Sequence, residues 1–192
     1  MVLSVFDFSI TQFRSTLSGI QIILKKAEAH VLASHQSPDS LLHARLQADM
    51  LPLAFQLDQA ANASAGALRR IRGETVETAR VFDDFAAASA CIDEAAAYCQ
   101  AIDLRDLEGR ENTDVIWTAP KIELRYSATD YLISHALPNF YFHSVMAYAI
   151  LRNLGIPIGK LNFLGRNHAT RQEPRGTALA AIEAMTRQRG PR

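Results

Sequence analysis

The feature that most constrains the fold is an apolar stripe near the start of the chain, where hydrophobic residues recur at alternating steps of four and three. The stripe consists of Phe6, Ile10, Phe13, Leu17, Ile20, Leu24, Ala27 and Val31. This spacing keeps the side chains on one face of an α-helix and is typical of helices that pack at a shallow angle in a bundle. It predicts a helix from about Ser4 to Ser34. Because a single helix cannot bury its own apolar face, it also predicts partner helices.

Two further segments carry helical stripes. The second predicted helix runs from Pro38 to about Arg70, and its stripe contains two polar residues, Asp49 and Gln56. Pro52 lies within it, and we expect a bend there because proline cannot donate a backbone hydrogen bond. A third helix is predicted to start near Asp83 or Asp84. Its stripe of mainly small residues would let a neighbouring helix approach closely: Phe85, Ala88, Ile92, Ala95, Cys99 and Ile102.

After the third helix the period changes. The segments 114–118 and 121–126 flank Ala119 and Pro120, and the second segment alternates apolar and charged residues, which predicts a short β-hairpin. A fourth helix is predicted from a capping box at Ser127 to about Leu154, with a kink at Pro138 and a stop at Gly155. We expect an irregular segment over 156–164 and a short last helix over 177–187.

Composition bounds the class of protein. The chain has 192 residues, 48% of them hydrophobic and 21% charged, with a formal net charge of zero. We expect one bundle domain over 1–165, followed by an Arg-rich tail over 166–192. The balanced charge argues against nucleic acid as a partner. We expect no membrane span, since no apolar run is long enough, and a cytoplasmic location, since no leader is visible.

The residues that could carry chemistry cluster on the fourth helix. His135, Asn139 and His143 follow at intervals of four and therefore share a face. Together with Asp49 and Gln56, the residues Asn139 and His143 are predicted to line a pocket between the second and fourth helices. His143, Asp49 and His135 would form a two-histidine, one-carboxylate set suited to a divalent metal such as Zn, Ni, Fe or Mn.

A second interpretation needs no metal. Pro52 and Pro138 would each free a backbone carbonyl inside the bundle, and neighbouring polar side chains could satisfy those carbonyls. Asp49 lies three residues before Pro52, and His135 lies three residues before Pro138. On this interpretation the polar stripe is an internal hydrogen-bond network.

Three segments carry a family resemblance. The run from Ala136 to His143, Ala-Leu-Pro-Asn-Phe-Tyr-Phe-His, resembles a motif of a bacterial family of unknown function. The segments 49–56 and 158–165 are similar to that family's second-helix and closing motifs. The family is in turn similar to the DinB-like, or YfiT-like, superfamily. This resemblance covers about residues 3–165 and implies an all-α, antiparallel four-helix bundle with a hairpin before the fourth helix.

The resemblance also implies properties of the site. Many DinB-like proteins hold a metal with one histidine from the second helix and two from the fourth, four residues apart. Carried over to this chain, these positions match His143, Asn139 and a residue near Asp49, so that only His143 keeps the ligand type. The resemblance further implies a homodimer and a superfamily that includes thiol-dependent transferases and isomerases.

Two hypotheses of function remain open at this point. In the first, the chain is an uncharacterised DinB-like protein with a degenerate inter-helix pocket, which could bind a metal ion or a small molecule or could be a metal-free hydrogen-bond network. In the second, the chain is a metal-dependent hydrolase or thiol transferase in which a zinc or nickel ion on Asp49 and His143 activates water or a thiolate. The sequence does not decide between a binding protein and an enzyme.

Overall fold

The computed structural model describes residues 4–77, 79–119 and 121–165. These residues form a helical bundle with one hairpin, which confirms the predicted fold class. The long helices are α1 (Val5–Ala33), α2 (Leu53–Arg72), α3 (Phe85–Ala101) and α4 (Leu137–Asn153), and the strands are β1 (Asp114–Ala119) and β2 (Ile122–Ser127). Shorter helical pieces are Pro38–His43, Leu104–Asp106, Ala128–Asp130, Tyr131–Ala136 and a final α5 (Lys160–Phe163). The predicted helix over 177–187 and the Arg-rich tail lie outside the described residues.

The core is built on α1. Every member of its apolar stripe is at most 3% exposed, and the stripe packs against α3 and α4. A capping box holds the start of the helix, because the Ser4 hydroxyl accepts from the Asp7 N–H while the Asp7 carboxylate accepts from the Ser4 N–H. The Phe13 ring meets Phe140 of α4 edge to face, with the ring centroids 5.0 Å apart. Local spacing and capping thus place α1 where the sequence predicts it.

The second helix differs from the prediction. Pro38–His43 is a 3₁₀ helix, an irregular segment follows, and α2 begins only at Leu53. Pro52 precedes α2 in an extended conformation, at φ −74° and ψ 173°. A proline cannot donate the i→i−4 bond, and it disfavours the helical conformation of the residue before it. The prediction of one continuous helix bent at Pro52 is therefore wrong: the proline starts the helix instead of bending it.

The hairpin leads directly into the last long helix. In the antiparallel register, Val115 pairs with Tyr126 and Trp117 with Leu124. The helix then opens with the predicted cap, since the Ser127 hydroxyl accepts from the Asp130 N–H at 3.1 Å. Where the sequence predicts a kink at Pro138, the structure has a π-helical segment, Tyr131–Ala136, immediately before α4. The wider turn of this segment accommodates the proline near the start of α4.

The segment after α4 closes the bundle. Residues 156–164, predicted to be irregular, contain the short helix α5, which packs on α1. The approach is close, because a Cβ at Gly19 would lie 1.9 Å from the Phe163 carbonyl oxygen. The Ser15 hydroxyl donates to the Leu164 carbonyl at 3.3 Å. Among the helices of the described residues, none combines the length and apolar character that a membrane crossing requires.

Candidate functional site

His143 of α4 faces Gln56 of α2. The His143 Nδ1 and the Gln56 Oε1 are 2.8 Å apart, and the Gln56 side-chain amide donates to the Leu51 carbonyl at 3.0 Å. Since the amide nitrogen of Gln56 is committed to Leu51, its oxygen accepts from His143, and the proton of the neutral imidazole lies on Nδ1. Burial lowers the pKa of His143, which favours this neutral form. The Nε2 of His143 therefore keeps its lone pair.

One turn before His143, the Asn139 side chain forms a hydrogen bond with the backbone of the preceding turn. Its side-chain amide donates to the His135 carbonyl at 2.7 Å. Pro138 and the π-helical segment interrupt the regular backbone bonds at this place, and such interruptions are commonly repaired by a nearby polar side chain. The observation agrees with the interpretation in which the stripe satisfies freed carbonyls, although the donor is Asn139 and not a histidine ring.

His135 packs among aromatic rings. It stacks on Tyr131, with the centroids 5.4 Å apart, and lies 4.6 Å from the Trp117 ring of β1. The hydroxyl of Tyr126 is 3.5 Å from the His135 Nδ1. Burial, and secondarily the charge of Arg70, lower the pKa of His135. Its imidazole, packed in an aromatic cluster, thus favours the neutral form more than an exposed histidine does.

A narrow cleft, which we call the α2–α4 groove, lies between α2 on one side and the π-helical segment with the start of α4 on the other. Its volume is about 30 Å³, and its lining combines amide, aromatic and cationic side chains: Gln59, Asn62, Ala63, Arg70, Trp117, Tyr131, His135 and Asn139. The Arg70 guanidinium donates to the Asn62 side chain at 2.8 Å and to the Tyr131 hydroxyl at 3.4 Å. Over the described part of the chain, Arg70 forms no ion pair with a carboxylate.

Asp49 does not join this site. The residue lies on the irregular segment before α2, and its side chain is exposed. Its predicted position on the inner face of a helix is wrong, because Pro52 starts α2 three residues further along. The residue of α2 that meets His143 is Gln56, which is only 3% exposed. The structure thus brings together Gln56 and His143, and separately His135 and Asn139, but not Asp49.

The donors present do not fit the metal site that the resemblance implies. Within residues 4–77, 79–119 and 121–165, no three His, Cys, Asp or Glu side chains are grouped closely enough to hold an ion. The polar partner of His143 is the amide of Gln56, while Asn139 bonds the His135 carbonyl and the His135 ring packs against Trp117 of the hairpin. Neutral amides are poor ligands for zinc or nickel compared with imidazole, thiolate or carboxylate. The set His143, Asp49 and His135 stays a prediction without a supporting cluster.

The sequence interpretation missed a larger cavity, which we call the α2–α3 cavity. It has a volume of about 390 Å³ and is lined by Asp58, Ala61, Asn62, Ala65, Gly66, Arg69, Thr75, Val76, Glu77, Arg80, Cys91, Glu94 and Ala95. The signal that could have found it is the small-residue character of α2 and α3. That character also predicts close packing of the two helices, so it does not by itself identify a cavity. Where small residues face each other beside a loop, they also leave space.

Architecture and site together define the class of protein. The chain is a DinB-like bundle, with the polar pair Gln56 and His143 between its second and fourth long helices. A crystal structure of a DinB family member protein from Shewanella denitrificans is similar to it, with 29% sequence identity and a TM-score of 0.71. That likeness covers 87% of this chain and 95% of the other.

The family assignment is equally direct. The model of a domain of unknown function, DUF1993, matches residues 5–164, and the chain therefore belongs to that family. Both findings confirm the resemblance seen in the motifs around Asn139 and His143. No curated protein matches the sequence.

Proposed function

We propose that this DinB-like protein binds a small organic carboxylate in the α2–α4 groove without a metal ion. The observation that carries the proposal is Arg70, a guanidinium in the groove that forms no ion pair within the described residues. A guanidinium offers five N–H donors in a planar fork that suits a carboxylate. Asn62 and the Tyr131 hydroxyl occupy part of that fork, which leaves further N–H donors for a ligand.

The size and the aromatic wall of the groove narrow the ligand class. The groove's volume of about 30 Å³ is roughly two to three times the 10–15 Å³ that one buried water molecule needs. It therefore holds the two oxygens of a carboxylate group but not a whole metabolite. The rest of the ligand would extend past Trp117 and His135, whose rings are 4.6 Å apart. Aromatic side chains favour a planar ring stacked against them. The ligand class that we propose is an aromatic carboxylate.

The single tryptophan of the chain is Trp117, so fluorescence excited selectively at tryptophan reports from the lining of this groove. Benzoate titrated into untagged protein is expected to change the fluorescence saturably, whereas benzyl alcohol, which lacks the charge, is not. Arg70→Met should abolish the response, and Arg45→Met, a substitution on the exposed segment before α2, should retain it. A benzoate response that survives in Arg70→Met with an unchanged melting temperature would overturn the proposal.

The metal-free part of the proposal has its own measurement. Protein purified without a histidine tag or added metal is expected to contain far less than one zinc or nickel ion per chain by mass spectrometry. Zinc or nickel near one per chain, lost in both His143→Ala and Asp49→Ala, would instead support the metal-dependent hydrolase or thiol transferase.

Two broader expectations belong with this proposal. The expected cytoplasmic location is supported by two free, buried cysteines, Cys91 and Cys99, since reducing compartments keep such thiols unpaired. The expected homodimer stays a prediction, and light scattering coupled to size-exclusion chromatography tests it.

A further inference from the structure

The α2–α3 cavity has the size of a small-molecule site. Its volume of about 390 Å³ lies within the range of roughly 300–1,000 Å³ in which such sites fall. It is separate from the α2–α4 groove, although Asn62 contributes to both. The inference drawn from it concerns another site and another ligand charge, and so it does not depend on the function proposed above.

The cavity has an apolar floor. Ala65, Gly66, Cys91 and Ala95 are buried residues of α2 and α3 that line it. None of these side chains is large enough to fill the space between the two helices. A floor of this kind accepts a short hydrocarbon body by burying apolar surface on both sides.

The rim is charged. Arg80 forms ion pairs with Glu77 at 2.6 Å and with Glu94 at 2.9 Å, and the side chains of these three residues are 37%, 71% and 65% exposed. Arg69, the other cation of the lining, pairs with Glu74 at 3.6 Å and lies over the Tyr98 ring. Both guanidinium groups are therefore engaged by groups other than Asp58.

Within the described residues, Asp58 is the one charged group of the lining that forms no ion pair. The residue is only 5% exposed, and its carboxylate accepts from the Arg80 backbone N–H at 3.1 Å and from the Gln59 amide at 2.9 Å. A carboxylate has about four acceptor positions, so these two neutral donors leave capacity for more. Burial raises the pKa of Asp58, and the opposing effects of the two hydrogen bonds and of the Arg80 charge do not offset it.

The side chains that line the α2–α3 cavity carry a net negative charge. Asp58, Glu77 and Glu94 stand against Arg69 and Arg80, so the lining carries three negative charges, two positive charges and a net charge of −1. Because water is partly excluded from the floor, an unbalanced charge there attracts a counterion more strongly than it would at the surface. The ligand that satisfies both the floor and this charge is a cation with an apolar body.

We propose that the α2–α3 cavity binds a small organic cation, a protonated primary amine whose ammonium group lies against Asp58 and whose short apolar body lies on the alanine floor. An ammonium offers three donors and no acceptor, which matches a carboxylate with open acceptor positions. Glu77 and Glu94 at the rim add attraction for the same charge.

Cys91 plays a non-covalent part in this site. Burial raises the pKa of its thiol to about 11, so the thiol stays protonated near neutral pH. A protonated thiol behaves as a small hydrophobic group. Cys91 therefore belongs to the apolar floor.

Calorimetric titration of the full chain with benzylamine tests the proposal, with benzyl alcohol as the uncharged probe of equal shape. We expect saturable binding of benzylamine and at least about tenfold weaker binding of the alcohol, as the loss of a charged hydrogen bond predicts. Asp58→Asn should also weaken the binding of benzylamine by at least about tenfold. Its amide oxygen can still accept from the Arg80 N–H, and the Gln59 amide can turn so that its oxygen accepts from the new amide nitrogen. We therefore expect the fold to be kept. Asp83→Asn, at an exposed residue away from the cavity, is the matched control.

A second variant tests the location without touching a charge. Ala61 lines the cavity and is half-buried, so Ala61→Leu should occupy the space and block benzylamine while Asp58 remains. Equal affinity for amine and alcohol, an amine affinity unchanged in Asp58→Asn, or no amine binding at all would each overturn the proposal. None of these results bears on the benzoate response of Trp117, because that response depends on Arg70.

Discussion

The Nδ1 of His143 and the side-chain oxygen of Gln56 are 2.8 Å apart, and this hydrogen bond connects the last long helix to α2. The Gln56 amide also donates to the Leu51 carbonyl, so that the Leu51 backbone, Gln56 and His143 form one chain of hydrogen bonds. The chain links the start of α2 to the centre of α4. Because the Nδ1 of His143 carries the proton, Nε2 is the acceptor nitrogen of the ring.

Removing Gln56 should therefore be costly. Gln56→Ala leaves the His143 N–H and the Leu51 carbonyl without partners, and we expect the free energy of unfolding to fall by about 1–3 kcal/mol. Urea denaturation followed by circular dichroism measures this. Gln47→Ala, on the exposed segment before α2, is the control and should stay within about 0.5 kcal/mol of the parent. Equal effects of the two substitutions would contradict the structural role of Gln56.

Stability should depend on pH through His143. Burial lowers the pKa of His143 below the ordinary value of 6.5, so the unfolded chain binds this proton more tightly than the folded chain. The contribution of His143 to stability is then fully present above pH 6.5, and it is lost as the pH falls through 6.5 toward the pKa of the folded state. Burial is also the main cause that lowers the pKa of His135, so His135 changes the stability in the same direction.

Urea midpoints measured between pH 5 and pH 8 test this dependence. His143→Gln should flatten the profile, because it removes one of the two histidines whose pKa is lowered by burial. His30→Gln, at an exposed residue of α1, is the control for the loss of a histidine. A parent protein that becomes more stable as pH falls from 7 to 5 would contradict the assignment.

Restoring imidazole ligands should create a metal site. Gln56 reaches His143 across the helices, and Asn139 lies one turn from His143 on the same helix. The double substitution Gln56→His with Asn139→His is expected to bind zinc near one per chain, since three imidazoles are a known zinc set. The readouts are metal content and a zinc-dependent rise in melting temperature. Gln47→His with Asn139→His is the control, and equal zinc uptake by both pairs would contradict the geometry.

Gly19 should tolerate no side chain. A Cβ there would lie 1.9 Å from the Phe163 carbonyl oxygen, so Gly19→Ala must displace α5 from α1. Alanine gains up to about 1 kcal/mol of helix propensity, but we expect a net loss of roughly 1–3 kcal/mol from overpacking. Hydrogen exchange over 160–164 should quicken, whereas in Ser18→Ala it should not. Unchanged exchange in Gly19→Ala would show that α5 is not held by this contact.

The parts of the fold that follow from short-range rules were predictable. The stripe from Phe6 to Val31, the Asp84 cap of α3 and the Ser127 cap before the π segment depend on residues within a few positions. The alternation over 121–126 likewise predicted the second strand of the hairpin. In each case the signal and the structure that it specifies lie in the same stretch of chain.

The candidate site was harder to predict, because it depends on where helices begin. A proline can stand at a kink inside a helix or at the start of one. The apolar stripe around Pro52 did not distinguish these two possibilities. Starting α2 at Leu53 leaves Asp49 in solvent and makes Gln56 the partner of His143. The α2–α3 cavity was missed for another reason. Asp58 lies beside the stripe, and its partner Arg80 is 22 positions away.

The π-helical segment Tyr131–Ala136 has a consequence for how this site could diverge between relatives. Each residue of an α-helix advances the side chain by roughly 100°, and a π turn holds one residue more than an α turn needs. Deleting one residue here would rotate everything on the hairpin side against Asn139 and His143, without changing any side chain. A deletion between Tyr131 and His135 would turn His135 away from the rings of Tyr131 and Trp117. In relatives, an insertion or a deletion in this segment would change which side chains meet between α2 and α4, just as a substitution would.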